Sequence, residues 1–151
     1  MVKSNYNNQL GKLILMLATT SLYSCSSGPP VYTANATISP WSSISQEQVG
    51  VAILSASRFY EQWRIEKIRP GKMKGTLSYG QHRATVSIPY DNAHFSIVYE
   101  NSENFVYDDE DQTIHPRYNY WVKRLEQSIQ EEIQYQRQLL QEKESREDNR
   151  Y

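Results

Sequence analysis

The sequence predicts a two-layer α+β domain: a helix, a four-stranded antiparallel meander and a second helix, with both helices on one sheet face. Three observations predict it. Two segments, centred near residues 53 and 125, repeat apolar residues at helical spacing. Between them run four short segments in which apolar and polar residues alternate, separated by Gly, Pro, Asp and Asn. Paired through those turns, the alternating segments send their apolar residues to the same side, as a shared core requires.

The first helix starts at Ser45. Ser45 and Gln48 have capping-box spacing, and Glu47 suits the positive helix N-terminus. Val49, Ile53, Ala56 and Tyr60 form its apolar face, and its end is expected within 59–62. The strands then read Trp63 to Ile65; Met73, Gly75, Leu77 and Tyr79; Ala84, Val86, Ile88 and Tyr90; and Phe95, Ile97 and Tyr99. Centring Gly80-Gln81 in its link pairs Leu77 with Ala84, Gly75 with Val86 and Met73 with Ile88. Centring Asp91-Asn92 pairs Ile88 with Phe95, Val86 with Ile97 and Ala84 with Tyr99. Trp63 and Ile65 join the same side if their link holds an odd number of residues, as in a three-residue Arg69-Pro70-Gly71 loop with Gly71 at positive φ. Pro89 has no N–H to offer, which favours a tight Asp91-Asn92 turn closed by Tyr90 and Ala93, and a wider loop at Gly80. Residues 100–114 are acidic and contain no Lys or Arg. The second helix begins near Pro116, a favourable first helical residue, with a stripe of Tyr118, Val122, Leu125, Ile129 and Ile133 flanked by Trp121. Beyond Ile133 the stripe thins into Gln, Glu and Arg.

Compartment is read from the other end of the chain. The single cysteine, Cys25, closes a short apolar run that begins at Leu13, with Lys3 and Lys12 upstream and small polar residues downstream. Leu22-Tyr23-Ser24-Cys25 resembles the lipobox of a bacterial lipoprotein signal peptide, with Cys25 acylated as the first mature residue. The apolar run falls far short of the ~20 residues that a membrane-spanning helix needs. The expected division is a signal peptide over 1–24, the lipidated Cys25 and a Ser/Pro/Thr-rich tether over 25–44, the α+β domain over 45–134, and a charged helical extension or tail over 135–151. As a flexible coil, a tether of ~19 residues averages roughly 25 Å end to end. Ser26 stands where an Asp would mark inner-membrane retention, so resemblance to Gram-negative lipoproteins implies the periplasmic face of the outer membrane. Once Cys25 carries lipid, no disulfide can form. A net charge of −1 gives no reason to expect nucleic-acid binding.

Candidate chemistry is sparse. The polar sheet face carries Arg64, Glu66, Lys72, Lys74, Thr76, Ser78, Arg83, Thr85, Ser87, Ser96, Val98 and Glu100, with Arg83 expected opposite Glu100 and Glu66 opposite Lys74. Lys74, Arg83, Ser87 and Ser96 are the candidate platform for a protein or cell-wall partner; an ordinary solvated face is the plainer account. Asp109 and Asp111 have calcium-loop spacing, but the central Gly is missing. His82, His94 and His115 lack zinc spacing and come from separate places: His82 beside Tyr79 on the core side, His94 on the open face near Pro89, and His115 as a helix cap. Asp91 and His94 are neighbours without a Ser or Cys nucleophile motif. Trp63, Tyr90, Tyr99, Tyr118 and Trp121 have core spacing rather than the scatter of a ligand cage. No metal or other cofactor is expected.

With Trp63, Tyr90-Asp91, Tyr99 followed by Ser102-Glu103-Asn104, and Ile114-His115 leading into Tyr118-Asn119-Tyr120-Trp121-Val122, the chain resembles a family of small uncharacterised proteobacterial lipoproteins. The likeness spans roughly residues 47–130. It implies fold and location and carries no catalytic residue; Tyr23 and the tail after Ile133 depart from the pattern. The expected function is therefore non-enzymatic: a lipid-anchored envelope domain that binds an envelope protein or the cell wall. A small enzyme or ligand carrier using the open face near His94 and Asp91, or an accessory factor in envelope assembly, are the alternatives.

Overall fold

Alternation, turn chemistry and a capped helix combine into an α+β domain with a five-stranded antiparallel sheet in the order β1-β5-β4-β3-β2. The strands are β1 (Ala34–Thr37), β2 (Trp63–Arg69), β3 (Lys72–Tyr79), β4 (His82–Pro89) and β5 (His94–Glu103). The helices are α1 (Gln46–Ala56), continued by a single 3-10 turn at Ser57–Phe59, and α2 (Pro116–Asp148). The computed structural model describes residues 28–39 and 44–149. The expected signal peptide over 1–24, Cys25 and Trp41 lie outside the described residues.

The fifth strand corrects the expected count of four. Ala34 and Ala36 are buried while Asn35 and Thr37 are exposed, so β1 alternates like any half-buried strand. It pairs Ala34 with Ile97 and Thr37 with His94 on the free edge of β5. The segment read as a tether is thus partly sheet. Upstream of β1 it is strapped down as well: Val31 N–H donates to the Gln112 carbonyl at 2.9 Å, and Ile114 N–H to the Pro29 carbonyl at 3.0 Å.

Both α1 and α2 start where the sequence places them. Gln48 N–H donates to Ser45 Oγ at 3.2 Å, and Ser45 N–H to Gln48 Oε1 at 2.7 Å, closing the capping box. Pro116 opens α2 behind His115, whose Nδ1 accepts the Arg117 N–H. The buried stripe of α2 includes Tyr118, Val122, Leu125, Ile129 and Ile133, and beyond Ile133 none of the described residues is fully buried.

In the sheet, β3 and β4 pair as expected, with Leu77 opposite Ala84, Gly75 opposite Val86 and Met73 opposite Ile88. The two turns are reversed from expectation. Gly80-Gln81 is the tight one, closed by Tyr79 and His82, with Gly80 at φ +59°. The link after Tyr90 is the wider one, and Tyr90 bridges to Phe95. Asp91 explains this: one carboxylate oxygen accepts the N–H groups of Ala93 and His94, each at 2.6 Å, and so closes a four-residue loop. Val86 consequently faces Tyr99 rather than Ile97. The slip is two residues, so every side chain keeps its face. A second irregularity between Thr85 and Val86 moves Arg83 opposite Glu103, not Glu100. In the β2–β3 link the parity is met by a register shift at Ile68 followed by a Pro70-Gly71 turn, with Gly71 at φ +77°.

Buried residues of both helices and of alternate sheet positions form one hydrophobic cluster. Trp63, 3% exposed, covers Gly75 on the neighbouring strand. A Cβ at Gly75 would lie 2.8 Å from Val86 Cγ2 and 3.3 Å from the Trp63 ring. Gly75→Ala should therefore lower the unfolding free energy by about 1–3 kcal/mol through overpacking. Urea denaturation measures this; an unchanged midpoint would mean that Val86 turns aside freely.

Candidate binding surfaces

The open sheet face is built by strand alternation. On it, Lys74 lies directly opposite Ser87 on β4 and Glu66 on β2. Of the other two candidate residues, Arg83 stands apart and Ser96 lies diagonally from Ser87 on β5. Arg83 is four residues from Ser87 along β4, about 13 Å at strand rise, and donates to Ser78 Oγ at 3.2 Å. Ser96 donates to Asn35 Oδ1 at 2.8 Å, which ties it to β1. Glu66 is engaged by Arg64 at 2.8 Å. The structure thus joins Lys74 with Ser87, places Ser96 diagonally from Ser87 on β5, and separates Arg83 from all three.

Cations gather instead at the β2–β3 hairpin. Lys67, Arg69, Lys72 and Lys74 lie within this turn and its flanks, and none is ion-paired among the described residues. Below it, α1 and the hairpin enclose a groove of about 310 Å³ whose lining includes Val51, Leu54, Lys67 and Met73.

The opposite end of the sheet is aromatic. His82 lies between Tyr79 and Phe105, with ring centroids 6.5 and 5.0 Å away, and its Nδ1 is 2.7 Å from the Asn104 carbonyl oxygen. His115, distant in sequence, comes within 6.1 Å of it. Beside them, Tyr79, His115, Pro116, Arg117, Tyr120 and Trp121 line an open groove of about 560 Å³. The Arg117 guanidinium stacks 4.8 Å from the Tyr79 ring centre and donates to its hydroxyl. Arg124 caps Tyr60 at 5.1 Å. This groove had no signature in the sequence beyond the Tyr120-Trp121 pair, because Tyr79 and Arg117 meet only through the fold. Trp63, Tyr90 and Tyr118 are buried, and Tyr99 and Trp121 pack against the same cluster, so these rings are core.

The titratable groups named from the sequence serve the backbone. Hydrogen bonds from Ala93 and then His94 hold the Asp91 carboxyl below its usual range; its contact with the His94 ring is a looser 3.6 Å. His115 Nδ1 accepts from an N–H, which leaves the proton of the neutral ring on Nε2. In the acidic loop, Asp108 Oδ1 accepts the N–H groups of Glu110 and Asp111. Among the described residues, no group of three or more His, Cys, Asp or Glu could hold a metal ion.

No family model, curated protein or solved structure matches this chain.

Two outcomes follow from these environments. Tyr118 is 0% exposed and its hydroxyl has no partner among the described residues, a burial that also drives its pKa upward. An orphaned polar group costs about 1–3 kcal/mol, so Tyr118→Phe should leave the protein as stable or more stable. A clear loss of thermal stability would reveal a partner for that hydroxyl. Asp91, lowered in the folded state, contributes stability that is complete above its ordinary pKa of 3.8 and is lost as pH falls through the lower folded value. Asp91→Asn keeps the accepting oxygen but not the charge, and should flatten the acid limb of the stability–pH curve. An unaltered limb would assign the acid sensitivity to other carboxylates.

Proposed function

We propose that this chain is a lipid-anchored, non-enzymatic binding domain of the bacterial envelope, held through Cys25 at the periplasmic face of the outer membrane. In this reading both helices cover the apolar sheet face, and the partner is an envelope protein or the cell wall. The observation that carries the binding role is the cationic β2–β3 hairpin, where Lys67, Arg69, Lys72 and Lys74 stand without ionic partners among the described residues. Unpaired charge of one sign steers partners of the opposite sign. Lys74 belongs to the originally expected platform; Arg83 and Ser96 contribute less, being already engaged with Ser78 and Asn35. The roles of Asp91 and His115 as acceptors of backbone N–H groups favour binding over catalysis.

The anchor and the platform are tested separately. Cys25→Ser should move the protein out of the membrane fraction and abolish acyl labelling; a variant that stays membrane-bound and labelled would falsify lipidation. A photo-crosslinker at Lys74 in intact cells should capture one partner, and reversing Lys72 and Arg69 to Glu should reduce that capture several-fold. Capture indifferent to this reversal would remove the hairpin from the interface.

A further inference from the structure

The N-terminal segment fixes which end of the domain lies nearest Cys25. Pro29 accepts from Ile114 N–H at 3.0 Å. The Asn119 side chain donates to the Pro30 carbonyl at 2.8 Å and accepts from Tyr32 N–H at 2.9 Å, bridging the segment from both sides. A Cβ on Gly28 would lie 2.3 Å from the Ile114 carbonyl oxygen, so glycine permits this approach. Three peptide units separate Gly28 from Cys25, and three residues span at most about 11 Å. The expected reach of roughly 25 Å is therefore not available to the domain.

We propose that the end of the domain at the start of α2 is a bilayer-facing surface, with Arg117 and Tyr120 set among phospholipid headgroups. This rests on the anchoring of Cys25. Acyl chains on Cys25 hold that residue at the hydrocarbon boundary, and the headgroup layer beyond it is roughly 5–7 Å thick. An 11 Å leash then brings the Gly28–Ile114 contact against the headgroups. The same end carries the aromatic groove, Tyr120 at 53% exposure and Val106 at 80%. Tyr120, with an apolar body and a polar tip, suits this interface. Arg117 and Arg124 add positive charge next to those rings. The acidic turn, Asp108 to Asp111, lies beside Pro30 through the bridges of Thr113 to Pro30 and Asp108. Anionic lipid repels its charge and attracts that of Arg117, so the domain tilts about the leash toward its Arg117 flank. The cationic hairpin sits at the other end of β3, about 25 Å along the strand, open to a partner.

The test uses the full lipidated chain in vesicles of phosphatidylethanolamine with a minority of phosphatidylglycerol. A nitroxide is attached at Tyr120→Cys, Arg124→Cys, Glu110→Cys or Lys74→Cys, each the only free thiol once Cys25 is acylated. Collision with a water-soluble nickel chelate should be several-fold lower at 120, and reduced at 124, than at 74 and 110. Arg124→Cys serves as the second site if the Tyr120 variant folds poorly. Equal accessibility at 120, 124 and 74 would overturn the proposal, as would protection at 110 in place of 120. Failure of the protein to float with the vesicles, or flotation unchanged in Cys25→Ser, would instead overturn the anchoring on which the proposal rests.

Discussion

Every strand must keep its apolar residues on the same face of the sheet, and this parity constraint governs the rest of the structure. A one-residue slip would turn Met73, Leu77, Val86 and Ile88 out to solvent together. The sheet meets the constraint with local irregularities and not with uniform hairpins. The shift at Ile68 adds the residue that lets Trp63 and Ile65 face the core across a two-residue turn. The four-residue loop after Tyr90 displaces β5 by two places, which is invisible to face but changes every partner. With parity secured, Trp63 can lie over Gly75 and donate its Nε1–H to the Trp121 carbonyl at 3.3 Å, tying the edge strand to α2.

The two ends of the sheet are finished in opposite ways. At the α2 end, His115 N–H donates to the Phe105 carbonyl and Asn104 donates its amide to the Gln81 carbonyl. Asn104, Val106 and Gln112 accept positive φ there, at 61°, 49° and 52°. A β-branched residue such as Val106 resists that conformation, so the tight packing of Phe105 and Ile114, both 0% exposed, outweighs the strain. At the hairpin end the backbone is relaxed: Gly71 takes the one positive φ required, and Tyr90 N–H donates to its carbonyl at 2.9 Å. One end is knitted and aromatic, the other simple and cationic.

Local chemistry was legible in the sequence, and distant geometry was not. The capping box at Ser45, Pro116 at the start of α2 and the β3–β4 register are short-range patterns whose physics lies within a few residues. The β4–β5 register failed because turn length was argued from the missing Pro89 N–H, whereas the Asp91 carboxylate decided it. Strand β1 was hidden by composition: Ala34 and Ala36 alternate correctly with Asn35 and Thr37, but small residues carry little hydrophobic signal. The candidate platform was legible as a face and not as a cluster. Alternation says which side Lys74, Arg83, Ser87 and Ser96 share; only register says that Arg83 lies at one end and Ser96 beside the edge strand. The nearness of His82 to His115, and of Tyr79 to Arg117, depends on how β3, β4 and α2 converge.

Reach is redistributed in this fold. Flexible composition between residues 26 and 44 argued for a spacer ahead of the domain, yet the described part of that segment is bound into the sheet and to Asn119. The length lies instead at the far end of α2. Residues 134–148 add about 22 Å of helix at 1.5 Å per residue, and none of them is fully buried. Arg137, which donates to the Ser39 carbonyl at 3.0 Å, marks where the helix leaves the sheet. Such a polar helix is sustained by its own i,i+4 contacts, as between Glu142 and Arg146, and not by a core. In the proposed orientation α2 starts at the headgroups and ends farthest from them. In that orientation it would act as a stiff spacer directed away from the headgroups, in place of a flexible tether ahead of the domain.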